Sequence, residues 1–285
     1  MSENVKSFSV LPMGQNITLK RGETYEGEVS IAIPSDAAEN FSYVVDVSPY
    51  SIVDGDYTAD LVNMGVYTQI VNWIKIEEPK GEIEPNGVKK IHFKIEVPED
   101  APVGGQYAAL MVGQNADEIK NDGIAIQNLI QIASVIYANV EGEIVKSGEI
   151  LENNIPVFSF NNDITIGSLI KNDGNTHLVA GFKIKATNLF TGQVIFPSED
   201  EEMITEVIMP GSMRNTMRKI ENLPMLGVVH ISQEVDFNGK VSKNEQNVII
   251  CPIWFIILVL ASVVAIIMFI ISRIRAHKKR STLVY

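Results

Sequence analysis

Three aspartates lie close together in the sequence and could bind a cation. Asp54, Asp56 and Asp60 surround Gly55, and carboxylate oxygens alternating in a glycine-bearing loop are ligands that calcium takes. An EF-hand loop would need a glutamate at its twelfth position, where Gly65 stands. We therefore favour a solvated, Asp-rich turn, with a weak calcium site of extracellular affinity as the alternative.

The histidines and the cysteine do not form a metal-binding pattern. No H-E-x-x-H motif and no histidine pair at i, i+4 occurs, and the single cysteine, Cys251, excludes a cysteine-based zinc cage. The four histidines are His92, His177, His230 and His277. The sequence predicts no transition-metal site and no cofactor.

Nucleophilic chemistry also lacks its usual motifs. The chain has no G-x-S-x-G elbow, because Gly167-Ser168 and Gly211-Ser212 lack the second glycine. It has neither of the common glycine-rich phosphate motifs. We therefore expect a protein without catalytic residues, that is, not an enzyme.

Charge excludes a further class of function. The 285 residues hold 35 acidic and 23 basic side chains, for a net charge of −12. Nucleic-acid binding requires clustered cations, so we expect no nucleic-acid partner. The acidic run at 199–202 predicts a soluble loop tip, with docking of a cationic partner as the alternative.

In the first 247 residues, the elements that position any site are predicted to be strands. Apolar and polar residues alternate with a period of two, which is typical of strands with one buried face. The apolar positions include Val29, Ile31 and Ile33, then Tyr43, Val45 and Val47, then Ile91, Phe93, Ile95 and Val97, and finally Phe182, Ile184 and Ala186. Asn238-Gly239, between two strand-like runs, predicts a β-hairpin.

Strands at this spacing predict a mainly β protein with two tandem immunoglobulin-like β-sandwich domains. We place the first domain at 1–142 and the second at 143–247. Between two strands of the first domain, Pro98 and Pro102 cannot donate to a ladder, and Gly104-Gly105 permits a reversal. We interpret this stretch as a corner between strands rather than as a binding site.

A run of 25 residues from Val248 to Ser272 carries no charged side chain. As a helix it would span roughly 37 Å, which exceeds the ~30 Å hydrocarbon core of a bilayer. Pro252 would lie in the first helical turn, and Trp254 would suit the membrane interface. We predict a single transmembrane helix at 248–272, in contact with the lipid bilayer.

The residues that flank this span predict its orientation. The tail, 273–285, holds five cations and no acid, whereas residues 1–247 carry a net charge of −17. The five cations are Arg273, Arg275, Lys278, Lys279 and Arg280. The positive-inside rule puts this tail in the cytoplasm and the N-terminal region outside the cell membrane.

The first residues show no basic-then-apolar signal pattern. An N-terminal region outside the membrane would therefore need a signal peptide that was removed, or a start codon upstream of the assigned one. The alternative is a tail-anchored protein with residues 1–247 in the cytosol. We favour removal of a signal peptide.

The first domain resembles a known family of bacterial surface proteins. The matching stretches are FSVLPMGQNITLKRGETYEGEVSI at 8–31, Trp73-Ile74-Lys75, GVKKI at 87–91 and IEVPEDAPVGGQYAALMVG at 95–113. They resemble the first extracellular domain of the WxL-interacting proteins of Gram-positive bacteria, over roughly half of the chain. The resemblance implies a β-sandwich with a cell-wall adhesion or scaffold role.

These observations together predict a non-enzymatic, membrane-anchored surface protein. Its β-sandwich ectodomain would bind an envelope protein or a cell-wall polymer, through loops or an exposed edge strand. The candidate loops are Asp54-Gly55-Asp56 and Ala116-Asp117-Glu118. The alternative is an accessory single-pass subunit of a membrane secretion, transport or assembly complex, with the helix as its packing surface.

Overall fold

The computed structural model describes residues 7–53, 56–59, 65–115, 130–196 and 203–281. The chain forms two compact units. Unit 1 consists of Met1–Glu149 together with Lys171–Val179 and Val207–Arg214. Unit 2 consists of Ile150–Ile170, Ala180–Glu206 and Asn215–Tyr285. The domain boundary at 142/143 stays a prediction.

Ten strands precede residue 141. They are β1 Ser9–Leu11, β2 Gly14–Leu19, β3 Thr24–Ala32, β4 Phe41–Val53, β5 Asp56–Ala59, β6 Ile74–Ile76, β7 Lys80–Ile83, β8 Val88–Glu96, β9 Gly104–Gln114 and β10 Gln131–Val140, with a 3-10 turn at Gln69–Asn72. One sheet has the order β1-β3-β8-β6, and the other has the order β2-β10-β9-β4-β5, with β7 also paired to β4. The first order is the A-B-E-D order of an immunoglobulin-like sandwich, and β10-β9-β4-β5 is its G-F-C-C′ order. β2 is an additional strand that pairs in parallel with β10.

The alternating apolar residues fill the space between these two sheets. Ile31, Ile91 and Phe93 are at most 1% exposed, as are Tyr43 and Leu110 from the facing sheet. The alternation predicted from the sequence is therefore confirmed in strands such as β8, which buries Ile91, Phe93 and Ile95 and leaves the residues between them exposed or half-buried. β9 differs, because nearly all of its residues are buried, on both faces.

Nine further strands follow. They are β11 Gly148–Asn154, β12 Phe158–Ser159, β13 Ile164–Asn172, β14 Leu178–Asn188, β15 Val194–Phe196, β16 Ile204–Ile208, β17 Met213–Ile220, β18 Gly227–Phe237 and β19 Lys240–Ile250. They form sheets of order β11-β13-β17 and β12-β19-β18-β14-β15, with β16 paired to β14. This order repeats the immunoglobulin-like arrangement, so the predicted fold class is confirmed.

The hairpin between β18 and β19 has the predicted turn. Phe237 pairs with Lys240, which leaves a two-residue loop. Asn238 and Gly239 have φ values of 51° and 73°, as a type I′ turn requires.

Within the described residues there is one α-helix, α1, which runs from Ile253 to Ser281. Its Ile253–Ile274 stretch has a mean hydropathy of 3.2 and no buried residues, so it is long and apolar enough to cross a membrane. The carbonyl of Pro252 accepts the first helical hydrogen bonds from Phe255 and Ile256 at 3.0 and 3.3 Å. The proline's missing N–H therefore costs the helix nothing.

The helix begins later than the sequence predicts. We predicted its first residue as Val248, but Val248 lies in β19 with a fully buried side chain. An uncharged run does not distinguish the end of a buried strand from the start of a helix. The C-terminal boundary also differs, because α1 continues past Ser272 through the five basic positions to Ser281. Of those five side chains, only Arg273 is among the described ones.

Candidate functional site

The reversal before β9 brings a turn of unit 1 against the start of that strand. Gly104 has a φ of +106°, and a Cβ atom there would lie 2.3 Å from the carbonyl oxygen of Asn175. The N–H of Gly105 donates to the same oxygen at 2.7 Å. A side chain at position 104 would prevent this approach, and one at position 105 would overlap the hydroxyl of Tyr107. The predicted corner is thus also the place where the 172–177 turn attaches.

Asn175 connects this turn to a second segment of unit 1. Its side-chain oxygen accepts from the N–H of Val145 at 2.8 Å, and its side-chain nitrogen donates to the carbonyl of Glu143 at 2.9 Å. Asn172 closes the turn by accepting from the N–H of Gly174 at 2.9 Å. The turn is therefore held by hydrogen bonds that fix the direction of the residues that follow it.

His177 follows the turn and contacts two tyrosines. The N–H of His177 donates to the hydroxyl of Tyr107 at 2.8 Å, and that hydroxyl lies 3.2 Å from Nδ1 of the imidazole. Burial raises the pKa of Tyr107, so the phenol stays protonated at neutral pH. Burial, and secondly the charge of Lys146, lower the pKa of His177. The imidazole is therefore neutral at pH 7, and its tautomer decides whether Nδ1 donates to the Tyr107 hydroxyl or accepts from it.

A row of tyrosines continues from this pair across unit 1. Tyr107, Tyr137, Tyr50 and Tyr57 come from the neighbouring strands β9, β10, β4 and β5, and Tyr107 lies directly opposite Tyr137. Ring centroids are 6.1 Å apart for Tyr107–Tyr137 and for Tyr50–Tyr137, and 5.6 Å apart for Tyr50–Tyr57. Arg214 covers the last ring at 3.9 Å. We call these four residues the tyrosine row.

The tyrosine row belongs to the face of its sheet that points away from the core. The residues next to Tyr107 and Tyr137 in sequence, Ala108, Ile136 and Ala138, are part of the core. Alternation therefore directs the two tyrosines to the opposite face. Burial raises the pKa of Tyr50 and of Tyr137 as well, so these phenols are neutral hydrogen-bonding groups at neutral pH.

A groove of about 470 Å³ opens beside His177. It is lined by the strand ends around Thr18 and Asn139, by Thr176 and His177, and by the exposed Ile144. Glu141 and Lys146 add one charge of each sign. The volume is in the range of sites that hold small ligands or peptide segments. Ligand sites in general have apolar walls and a few polar groups.

The groove supports binding better than catalysis. Nδ1 of His177 is hydrogen-bonded to Tyr107, and the groove lining holds no serine or cysteine. The lining offers a ligand the hydroxyls of Thr18 and Thr176 and the imidazole of His177. Such groups can bind and orient a polar ligand. The tyrosine row supports His177 from behind and is not part of the lining.

The calcium prediction falls mainly outside the described residues. Asp54 and Asp60 lie outside them, as do the 116–118 loop and the acidic run at 199–202. Asp56 begins β5, but its side chain is not among those described. Within the described residues there is no group of three His, Cys, Asp or Glu side chains that could hold a metal ion. The calcium site stays a prediction.

The other histidines take no part in this groove. His92 is an exposed residue of β8, and Nδ1 of His230 lies 2.9 Å from the side-chain oxygen of Asn247. The side chain of His277 is not described. Among the three histidines whose side chains are described, His177 alone lines the groove.

Sequence reasoning missed the tyrosine row. It identified His177 only as a turn residue and did not select Tyr50, Tyr57, Tyr107 or Tyr137. The available signal was an aromatic residue on the outward phase of several predicted strands. Recognising the row would have required the order of those strands in the sheet, which the periodicity does not contain.

No family model matches the chain, and no curated protein matches it. Solved structures resemble it at low identity. One, titled as the CsuC-CsuE chaperone-tip adhesion subunit pre-assembly complex of Acinetobacter baumannii, is 10% identical with a TM-score of 0.41, and the match covers 84% of this chain and 98% of that one. The SafA pilin complex with the SafB chaperone of Salmonella enterica is 11% identical with a TM-score of 0.40, and covers 86% and 96%.

A third structure, the class 5 fimbriae chaperone CfaA, is 17% identical with a TM-score of 0.39, and the match covers 85% of this chain and 99% of that one. At these identities and TM-scores the three structures carry no information about the function of this chain.

Proposed function

We propose that the chain is a non-enzymatic, membrane-anchored surface protein whose β-sandwich ectodomain binds an envelope protein or a cell-wall polymer. The observation that carries the proposal is the position of α1. It begins three residues after β19 ends at Ile250, and its apolar stretch has no buried residue. A helix without a protein partner along its length is stable in hydrocarbon, where its backbone is satisfied internally.

The orientation follows from charge. The basic positions 273–280 would remain in the cytoplasm, and the acidic region before the helix would lie outside. The groove beside His177 supports the binding part of the proposal, because it offers an imidazole, the hydroxyls of two threonines and one charge of each sign. The resemblance to WxL-interacting proteins favours a cell-wall scaffold, and membership of that family is part of the proposal.

The test uses the full chain in lipid nanodiscs, mixed separately with purified wall polymer and with solubilised envelope proteins. Retention of one of these ligand classes above empty nanodiscs is expected. Retention of neither would contradict the proposal.

Paired variants test the groove. Ile144→Asp changes an exposed groove residue, and Val88→Asp makes the same kind of change on the other sheet, where Val88 is 66% exposed. We expect Ile144→Asp to weaken binding about tenfold, which corresponds to ~1.4 kcal/mol, and Val88→Asp to leave binding unchanged. Equal binding by both variants would place the binding surface elsewhere.

The alternative, a subunit of a membrane complex, predicts that the helix itself makes specific contacts. The stretch has no G-x-x-x-G pair and no charge, and Ala261, Ser262 and Ala265 form its one small-residue patch. Replacing residues 253–272 with polyleucine separates the two functions. Retained ligand binding favours the proposed function, whereas lost assembly of a complex favours the alternative.

A further inference from the structure

The end of unit 2 next to α1 is surrounded by exposed apolar side chains. The last residues of β19 pair with two neighbouring strands. Ile249 lies opposite Phe158 of β12, and Ile250 lies opposite Gly227 of β18. The N–H of Leu189 donates to the carbonyl of Val228 at 3.0 Å. Three connections, at 157–162, 189–193 and 222–227, therefore lie at this end of the unit, which we call the base.

The exposed residues of the base are large and apolar. Phe190 is 76% exposed and Met225 is 67% exposed, and four others are between 40% and 53% exposed. We call the six residues the collar; they are Phe158, Phe160, Leu189, Phe190, Met225 and Leu226. Single exposed apolar residues are ordinary, but a group of six around one end of a sandwich marks an interaction surface.

The base also differs from the rest of the chain in charge. The three connections 157–162, 189–193 and 222–227 contain no charged residue, although residues 1–247 carry a net charge of −17. The charges that flank them are paired with one another, because Lys219 lies 2.9 Å from both Asp163 and Glu221. Charged side chains are costly to bury against a partner that repels them or removes their water. An uncharged, apolar surface in an acidic protein is therefore suited to such a partner.

The collar is continuous with the start of α1. A cavity of about 340 Å³ at the base is lined by Phe160 and Met225 of the collar and by Pro252, Ile253 and Trp254. Trp254 is 54% exposed at the first turn of the helix, and tryptophan is enriched at membrane–water interfaces. Any bilayer crossed by α1 therefore has its surface at the level of the collar.

We propose that the collar inserts into the outer interfacial region of the bilayer, so that unit 2 rests on the membrane with its base in contact with lipid. This inference rests on the proposed membrane anchoring by α1 and adds a second lipid contact to it. Apolar side chains that enter the headgroup and acyl boundary stabilise such contact in proportion to the area that they bury. The contact would restrict the tilt of unit 2 relative to the membrane.

The experiment measures the depth of a fluorophore on the full chain. The native cysteine is first removed by Cys251→Ser, and single cysteines are then introduced by Phe190→Cys, Met225→Cys, Ser262→Cys or Lys240→Cys and labelled with an environment-sensitive dye. Lys240 begins β19 at the far end of the unit, and the 11 residues of that strand span roughly 36 Å. Each protein is reconstituted in phosphatidylcholine vesicles with and without lipid that carries a nitroxide at acyl carbon 5.

We expect the nitroxide lipid to quench the labels at 190 and 225 by about twofold, because interfacial side chains lie roughly 5–10 Å into the headgroup and acyl boundary. The label at 240 should remain unquenched. Quenching at 262 without quenching at 190 and 225 would contradict lipid contact by the collar but agree with membrane anchoring by α1. Absence of quenching at 262 would contradict both the lipid contact and the anchoring. A label at 190 whose emission is blue-shifted but not quenched would indicate that the collar contacts a protein partner. That result would contradict the lipid contact.

Discussion

The hydroxyl oxygen of Tyr107 lies 2.8 Å from the backbone nitrogen of His177 and 3.2 Å from its Nδ1 atom. One buried phenol therefore hydrogen-bonds to both the backbone and the side chain of the same residue. These two contacts fix the orientation of the imidazole beside the groove. The pair also makes the groove testable by stability measurements.

Tyr107→Phe should destabilise unit 1. The substitution removes the partner of a buried N–H and of Nδ1, and an unsatisfied buried polar group costs about 1–3 kcal/mol. Urea unfolding followed by tryptophan fluorescence measures the loss in the free energy of unfolding. All variants carry Trp254→Phe, so that the buried Trp73 reports on unit 1 alone. Tyr25→Phe is the control, because the hydroxyl of Tyr25 has no partner within the described part of the chain. An equal effect of both variants would contradict the assigned role.

Acidification should destabilise unit 1 through His177. Its folded-state pKa is lowered by burial below the unfolded value of about 6.5, so the unfolded chain binds the proton more readily. Stability is fully present above that unfolded value and is lost as the pH falls below it. The urea midpoint should therefore decrease from pH 7.5 to pH 5.5, and His177→Gln should flatten this decrease. His92→Gln, a substitution at an exposed site, is the matched control. An unchanged profile in His177→Gln would contradict the prediction.

Gly104→Ala should be more damaging than an alanine at another positive-φ glycine. Both Gly104 and Gly22 have positive φ, but only at Gly104 would the new Cβ meet a backbone oxygen, that of Asn175 at 2.3 Å. At Gly22 the nearest atom, 3.4 Å away, belongs to the flexible side chain of Glu99. We expect a loss of about 1–2 kcal/mol for Gly22→Ala from backbone conformation alone and a larger loss for Gly104→Ala. Equal losses for the two variants in the same urea assay would show that the 172–177 turn moves away from the new Cβ atom without a further loss of stability.

Glu206→Gln should loosen the parts of β16 and β17 that belong to unit 2. Glu206 pairs with Arg218, and their side chains are 11% and 28% exposed. Loss of the carboxylate leaves a partly desolvated guanidinium, which costs about 1–3 kcal/mol. Hydrogen exchange followed by mass spectrometry should show faster exchange over residues 204–220. Lys243→Gln breaks the exposed pair with Glu245 and should change little; similar effects of the two variants would contradict the prediction.

Much of the fold can be predicted from the sequence. The alternation around Ile31, Phe93 and Phe182 predicts strands because a strand's side chains point to opposite faces. Asn238-Gly239 predicts its hairpin because these residues tolerate positive φ. The helix is predicted by length and composition, although its first residue is wrong because the end of β19 is equally apolar. Each of these signals depends on residues within a few positions of one another.

The groove depends on contacts between residues far apart in the chain. Tyr107 and His177 are 70 residues apart, and the tyrosine row combines β4, β5, β9 and β10. Strand order sets these neighbours, and local periodicity carries no information about order. The sequence by itself determined the two sandwich patterns, the charge asymmetry and the apolar helix. Only the tertiary structure decided which tyrosines meet His177 and which apolar connections gather at the base beside α1, because both follow from how the strands pair.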